Sequence, residues 1–157
     1  MNNYFIILAS GQSKRFNSTK PKQFILYKNK ALFEHSIEKG IKSKKFKKII
    51  LVVNDKNQIK KKLPKIVTIL KGGKERSDSS LIALKYIKKF KPNNVLIHDA
   101  ARPNFSTKLI NKLIKNLKNN KAVVPTIIAK DSIKYKINTS IYNLYRNNSY
   151  LTQTPQA

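Results

Sequence analysis

Tyr4-Phe5-Ile6-Ile7-Leu8-Ala9, running straight into Ser10-Gly11-Gln12-Ser13-Lys14-Arg15-Phe16, decides the fold of this chain. Six apolar residues without polar alternation read as a buried strand. The strand opens into a small, glycine-bearing loop, where backbone N–H groups can face an anion. Two cations, Arg15 and the Lys22 of Pro21-Lys22-Gln23-Phe24, sit close together along that loop. Polyphosphate chemistry needs this combination of unhindered backbone donors and fixed positive charge near developing negative charge. The loop is neither a G-x-x-x-x-G-K-[ST] phosphate loop nor a G-x-G-x-x-G dinucleotide turn.

Outward from the strand, apolar runs alternate with amphipathic stretches. Strands are expected at 4–9, 48–53, 67–70, 94–98 and 122–126, and helices at about 31–43, 55–62, 77–89 and 106–119. In the last of these helices Leu109, Ile110, Leu113, Ile114 and Leu117 share one face and the lysines lie elsewhere. This alternation predicts an α/β fold of Rossmann-like type: a mostly parallel sheet with helices on both faces. Ligands of such sheets bind beyond the carboxyl ends of the strands. From Ile127 the pattern changes to two extended segments joined through Asn138-Thr139, read as a protruding β-hairpin arm over about 127–150. The whole of 1–157 is read as a single domain.

The chain has 157 residues, enough for one real core, and no cysteine, which excludes disulfides, thiolate zinc sites and thiol nucleophiles. No apolar run reaches the roughly 18 residues of a membrane span, and the N-terminus does not read as a signal peptide. A cytoplasmic protein is expected, with no membrane partner. The charge is extreme, with 34 Lys and Arg against 7 Asp and Glu, a net +27. Such a balance can mark a nucleic-acid-binding module. Here lysines spread along every segment, together with abundant Asn and Ile, so compositional drift is the better reading and no specific nucleic acid is expected. The positive field would still gather anionic phosphates. Against the lysine background only four arginines occur, Arg15, Arg76, Arg102 and Arg146, each in a loop-like motif. A guanidinium is a rigid fork for oxyanions where an ammonium is a point charge.

Two further motifs stand at predicted strand ends. Gly72-Gly73-Lys74-Glu75-Arg76-Ser77-Asp78-Ser79 opens a helix, and paired glycines allow close backbone approach to a ring or a phosphate. Ser77 and Asp78 read equally well as helix caps. His98-Asp99-Ala100-Ala101-Arg102-Pro103 places a carboxylate where it can orient a hydroxyl or a hydrated metal, or brace the loop against Arg102. His98 reads as a structural histidine rather than a base, and His35 has no catalytic company.

The ordered set L-A-S-G-Q-S-K-R-F, P-K-Q-F, G-G-K-E-R-S-D-S, H-D-A-A-R-P, D-S-I-K and Q-T-P-Q resembles the 2-C-methyl-D-erythritol 4-phosphate cytidylyltransferases of non-mevalonate isoprenoid biosynthesis. The resemblance covers nearly the whole chain. It implies a nucleotide-diphospho-sugar-transferase type of fold and transfer of CMP from CTP to the substrate phosphate with release of pyrophosphate, using Mg2+ or another divalent cation. It implies that Arg15 and Lys22 are catalytic at the α-phosphate, that Ala9, Ser10, Gly11 and Ser13 wrap the triphosphate, and that Gly72, Gly73 and Ser79 recognise cytosine and ribose. Asp99 and Ala100 would lie beside the ribose and the methylerythritol, with Asp99 near the metal. Ser132, Arg146 and Thr154 would contact the methylerythritol phosphate. The arm would exchange between subunits of a homodimer, so that Arg146 serves the partner's site. Two positions depart from the family pattern, which has glycine at Ser13 and threonine at Ser132. Family members are expected to continue past Q-T-P-Q with further helices, a strand and another phosphate-binding lysine, so C-terminal elements are expected to be missing here. The alternatives are ribitol-5-phosphate cytidylyltransferase, an inactive fragment, or the basic nucleic-acid-binding module; Ala101 favours the methylerythritol enzyme over the ribitol one.

Overall fold

A computed structural model of the chain describes residues 1–11 and 20–157. Four strands form the central sheet: β1 (Asn3–Ala9), β4 (Lys48–Val53), β5 (Val67–Lys71) and β6 (Asn94–Asp99). Between β1 and β4 lie a two-residue hairpin, β2 (Leu26–Tyr27) and β3 (Lys30–Ala31), and the helix α1 (Leu32–Lys42). The sheet is parallel throughout, in the order β5-β4-β1-β6, with Ile6 opposite Ile50 on one side and Ile97 on the other. Helix α2 (Arg76–Lys88) joins β5 to β6, and α3 (Thr107–Asn116) follows β6.

Side chains of β1 alternate between two separate cores. Phe5, Ile7 and Ala9 point with Ile49, Leu51 and Leu96 into a cluster closed by Phe33 and Ile37 of α1 and by Ile110, Leu113 and Ile114 of α3. Tyr4, Ile6 and Leu8 point the other way, against Ala83 and Ile87 of α2. Every residue of β1 is therefore buried, which is why its sequence is an unbroken apolar run. Asn3 begins the strand, and its side chain donates to the Lys45 carbonyl (3.0 Å) and accepts from Asn94 (2.9 Å), so this buried amide is satisfied.

Two expected elements are corrected. Residues 55–62 do not form an α-helix; only a 3-10 turn, Lys56–Gln58, occurs, with Asp55 Oδ1 accepting from the Asn57 N–H (3.0 Å). Three consecutive lysines leave only Ile59 and Leu63 to bury there, too little apolar surface to hold a helix face. Residues 122–126 do not add a strand to the parallel sheet. Val123 instead exchanges both backbone hydrogen bonds with Ala157 (2.6 and 2.9 Å), and Gln156 exchanges both with Ile97 of β6 (2.7 and 2.8 Å). The Q-T-P-Q segment thus lies antiparallel against the outer side of β6, with residue 123 beyond it.

The arm has the expected character with shorter strands. β7 (Thr126–Ile128) pairs with β10 (Tyr150–Thr152), and β8 (Ile133–Ile137) pairs with β9 (Ser140–Leu144) across Asn138-Thr139. Asn138 takes a φ of 53°, a left-handed conformation that asparagine tolerates. No helix among the described residues is long and apolar enough to cross a membrane.

Gly40 lets α1 approach the sheet closely. A Cβ there would stand 2.9 Å from Phe5 Cδ1 and 3.0 Å from Ile49 Cδ1, both fully buried. Gly40→Val should destabilise the protein by about 1–3 kcal/mol through overpacking, read as a lower urea midpoint with an unchanged slope.

Candidate active site

Three strands of the sheet deliver the candidate residues to one edge, at the carboxyl ends of β1, β5 and β6. Ala9 ends β1 and is buried, followed by the half-exposed Ser10 and the exposed Gly11. A side chain that the sequence reading passed over holds this turn. Gln23, in the 3-10 turn Lys22–Phe24, is 4% exposed, and its Nε2 donates to both the Ala9 and Gly11 carbonyls at 2.8 Å. The amide spans the two ends of the strand-to-loop turn, a cross-link that a glutamine one residue beyond a lysine does not advertise in sequence. Ser13 and Arg15 lie outside the described residues. Lys22 is exposed on the adjoining turn.

The second wall comes from the glycine pair after β5. Ser79 is fully buried in the first turn of α2; its hydroxyl lies 2.8 Å from Ser10 Oγ and accepts from the Gly73 N–H at 3.2 Å. Gly72 fits between them: a Cβ there would come within 2.7 Å of both Ser10 Cβ and Ser79 Oγ. Gly73 is equally constrained, since a Cβ would meet Asp78 Cβ at 2.4 Å. Asp78 caps the helix by accepting from the Glu75 N–H (3.0 Å). The capping and binding readings of this motif therefore fall on different residues, Asp78 and the Gly72-Gly73-Ser79 set.

Asp99 ends β6 and joins the walls electrostatically. Arg76 Nε, at the start of α2, lies 3.0 Å from Asp99 Oδ1, and Arg102 Nε lies 3.7 Å from Oδ2. The brace to Arg102 that the sequence allowed is present, and Arg76 is a second partner that it did not supply. Ala100 is fully buried, its N–H donating to the Leu8 carbonyl (3.0 Å), so it fixes the loop to β1. Asp99 lacks the companions of a metal cage: among the described residues no group of three or more His, Cys, Asp or Glu could hold an ion. Both Asp99 oxygens face arginines, so a Mg2+ carried by a polyphosphate would meet this carboxylate through water or by displacing one guanidinium.

Behind Asp99, His98 is fully buried between Phe5 and Phe105. Its Nδ1 lies 3.0 Å from Thr154 Oγ1 and its Nε2 3.2 Å from Ser36 Oγ of α1. Burial pushes the imidazole down to about 4, a trend opposed by the Asp99 carboxylate and aided by Lys39 and Arg102. Lys39 is itself lowered by burial, and its ammonium donates to the Pro103 carbonyl beside the Phe105 ring. Thr154 is 9% exposed in the segment along β6. Ser132 and Arg146 lie on the arm, both exposed, with Arg146 Nη1 donating to the Lys130 carbonyl at 3.4 Å.

A parallel sheet carrying a glycine-backed serine pair and an arginine-flanked carboxylate at its strand ends has the architecture of a nucleotidyltransferase. Residues 4–157 match the profile of IspD, 2-C-methyl-D-erythritol 4-phosphate cytidylyltransferase, and the chain belongs to that family. It is 55% identical over its full length to a bifunctional IspD/IspF enzyme of Pelagibacter ubique, of which it covers 43%. It is 37% identical, over 96% of its length, to the 2-C-methyl-D-erythritol 4-phosphate cytidylyltransferase of Caldicellulosiruptor bescii, covering 70% of that protein. Among solved structures, the Francisella tularensis cytidylyltransferase superposes with a TM-score of 0.81 at 29% identity, covering 99% of this chain and 71% of that one. The bifunctional IspDF of Campylobacter jejuni gives 0.82 at 30% identity, covering 99% and 40%. The chain thus spans under half the length of the bifunctional relatives and about 70% of the single-function ones.

His98 makes stability depend on pH with a definite sign. Its folded value of about 4 lies below the ordinary 6.5, so between these limits the unfolded chain binds the extra proton. The contribution is fully present above about pH 6.5 and is lost as pH falls toward 4, by about 3 kcal/mol in all. Urea midpoints measured from pH 8 to 4 should show this loss in the wild type, and His98→Asn should remove its share of the slope.

Proposed function

We propose that this chain catalyses transfer of a cytidylyl group from CTP to 2-C-methyl-D-erythritol 4-phosphate. An oxygen of the substrate phosphate attacks the α-phosphorus, the bond to the bridging α–β oxygen breaks, and pyrophosphate leaves. The observation that carries this reading is the juxtaposition of the Gly72/Ser10/Ser79 floor with the Arg76–Asp99–Arg102 cluster at one end of the sheet. The floor is narrow and lacks side chains at Gly72 and Gly73, which suits a planar base and its ribose. Gly72, Gly73 and Ser79 would take these, with Asp99 and Ala100 beside the ribose hydroxyls. Ala9, Ser10, Gly11 and Ser13 would wrap the triphosphate.

Arg15 and Lys22 would neutralise the charge that builds on the α-phosphate as the new bond forms. Asp99 would hold the Mg2+ carried by the nucleotide, through water or directly. When bound, that ion supplies charge neutralisation of the phosphate oxygens. Thr154 would lie at the acceptor end of the site. Ser132 and Arg146 would reach the methylerythritol phosphate from the arm of a partner subunit. Exposed Ile137, Ile141, Tyr142 and Tyr145 on and beside the hairpin support an arm that is covered in a homodimer. A cytoplasmic setting suits a reaction of two soluble phosphates.

The test is pyrophosphate release from CTP with methylerythritol phosphate against ribitol phosphate; faster turnover of ribitol phosphate overturns the substrate assignment. Arg15→Ala and Lys22→Ala should each lower kcat by about 10²–10³ with a smaller rise in KM for CTP. Gly72→Ala should weaken CTP binding by about tenfold or more in calorimetry, because the new methyl displaces Ser10 and Ser79.

A further inference from the structure

His98 is the residue that the chemistry above leaves unused, although it immediately precedes Asp99 on β6. Neighbouring residues of a strand face opposite ways, so His98 points into the α1/α3 core while Asp99 ends the strand at the site. Both ring nitrogens are engaged: Nδ1 with Thr154 Oγ1 (3.0 Å), Nε2 with Ser36 Oγ (3.2 Å). Thr154 Oγ1 also accepts from the backbone N–H of Asp99, at 3.5 Å. The donors fall into one consistent order. With the Asp99 N–H donating into the threonine oxygen, the threonine hydrogen is available to donate to Nδ1. Nδ1 then accepts, and the ring proton sits on Nε2, donating to Ser36.

We propose that His98 is a positioning residue: through Thr154 it fixes the backbone at Asp99, and through Ser36 it ties that backbone to α1. It touches neither the nucleotide nor the reacting phosphorus. Its leverage comes from where its partners sit. Thr154 belongs to the segment whose Gln156 pairs with Ile97, so the histidine bonds that segment at the point where β6 gives way to the site loop. Asp99 there holds Arg76 and Arg102, one on each carboxylate oxygen. A rotation of the Asp99 peptide would move both guanidiniums together. Each ring nitrogen is bonded to one hydroxyl, which places Nδ1 as an acceptor and Nε2 as a donor.

The kinetic consequence rests on the cytidylyl-transfer reading, so the test carries one readout that does not. In the unliganded protein at neutral pH, nitrogen chemical shifts of His98 should report an Nε2–H tautomer with Nδ1 unprotonated. Thr154→Val, which keeps the shape and removes the hydroxyl, should shift the Nδ1 resonance; Thr154→Ser should restore it. In the assay, Thr154→Val and His98→Leu should each lower kcat about tenfold, the scale of one lost buried hydrogen bond, with little change in KM for CTP. The double variant should lose clearly less than the product of the two single losses, because both break one linkage. His98→Asn, whose carboxamide can still accept from Thr154, should recover part of the loss. Fully additive losses, or an Nδ1 resonance that ignores Thr154→Val, overturn the proposal. A wild type that shows the tautomer signature yet releases no pyrophosphate refutes the cytidylyl-transfer reading and leaves the His98–Thr154 linkage standing.

Discussion

Everything in this fold depends on β1 being buried on both faces. A strand with neighbours on both sides and no solvent-facing side chain requires apolar cover above and below. The chain provides it with α1 and α3 on one face and α2 on the other. The crossovers that deliver those helices force the strands to run parallel, and parallel strands bring their carboxyl ends to one edge. The site is therefore a by-product of how β1 is covered. Ala9, Lys71 and Asp99 stand together because each is the last residue of its strand.

The electrostatics of that edge differ from those of the surface around it. Most of the chain's positive charge is lysine on exposed positions, which raises the local concentration of anions without selecting among them. Asp99 is one of only seven acidic residues in the chain, and it is placed where two of the four arginines can bond it. A carboxylate in a strongly positive field binds its cations whether or not a ligand is present. Arg76 is thereby kept near the strand ends despite being half exposed. Guanidiniums held in this way have already lost the rotamer freedom that an unpaired side chain would give up on meeting an anion.

Several elements read correctly from sequence have a pattern set by burial alone. β1 and β4 are apolar runs, and α3 carries one apolar face behind Ser106, whose hydroxyl accepts from the Leu109 N–H at 3.1 Å. The failures have a common cause. Residues 55–62 and 122–126 read as helix and strand but carry too little apolar surface to enforce either. The site shows the same division. Gly72, Ser79 and Asp99 were legible as residue types at strand ends, and the structure gathers them. Gln23, Ser36 and Arg76's bond to Asp99 were not, because each depends on a partner from another element, and chain order does not encode which polar side chains meet across a core.

That limit is sharpest at His98. In sequence it is a histidine at the end of a strand, and the structural reading was the correct one as far as it went. Its partners come from 62 positions earlier and 56 positions later in the chain, on α1 and on the segment beside β6. Only the folded topology makes them neighbours. A polar group buried at this depth is costly unless its hydrogen bonds are complete, and both of its nitrogens are satisfied. The same completeness that removes the cost also removes freedom, since each bond holds one element in register with the next. Structural and functional readings of such a residue are not alternatives here. What stabilises the fold behind Asp99 is also what fixes the direction in which Asp99 presents its two arginines.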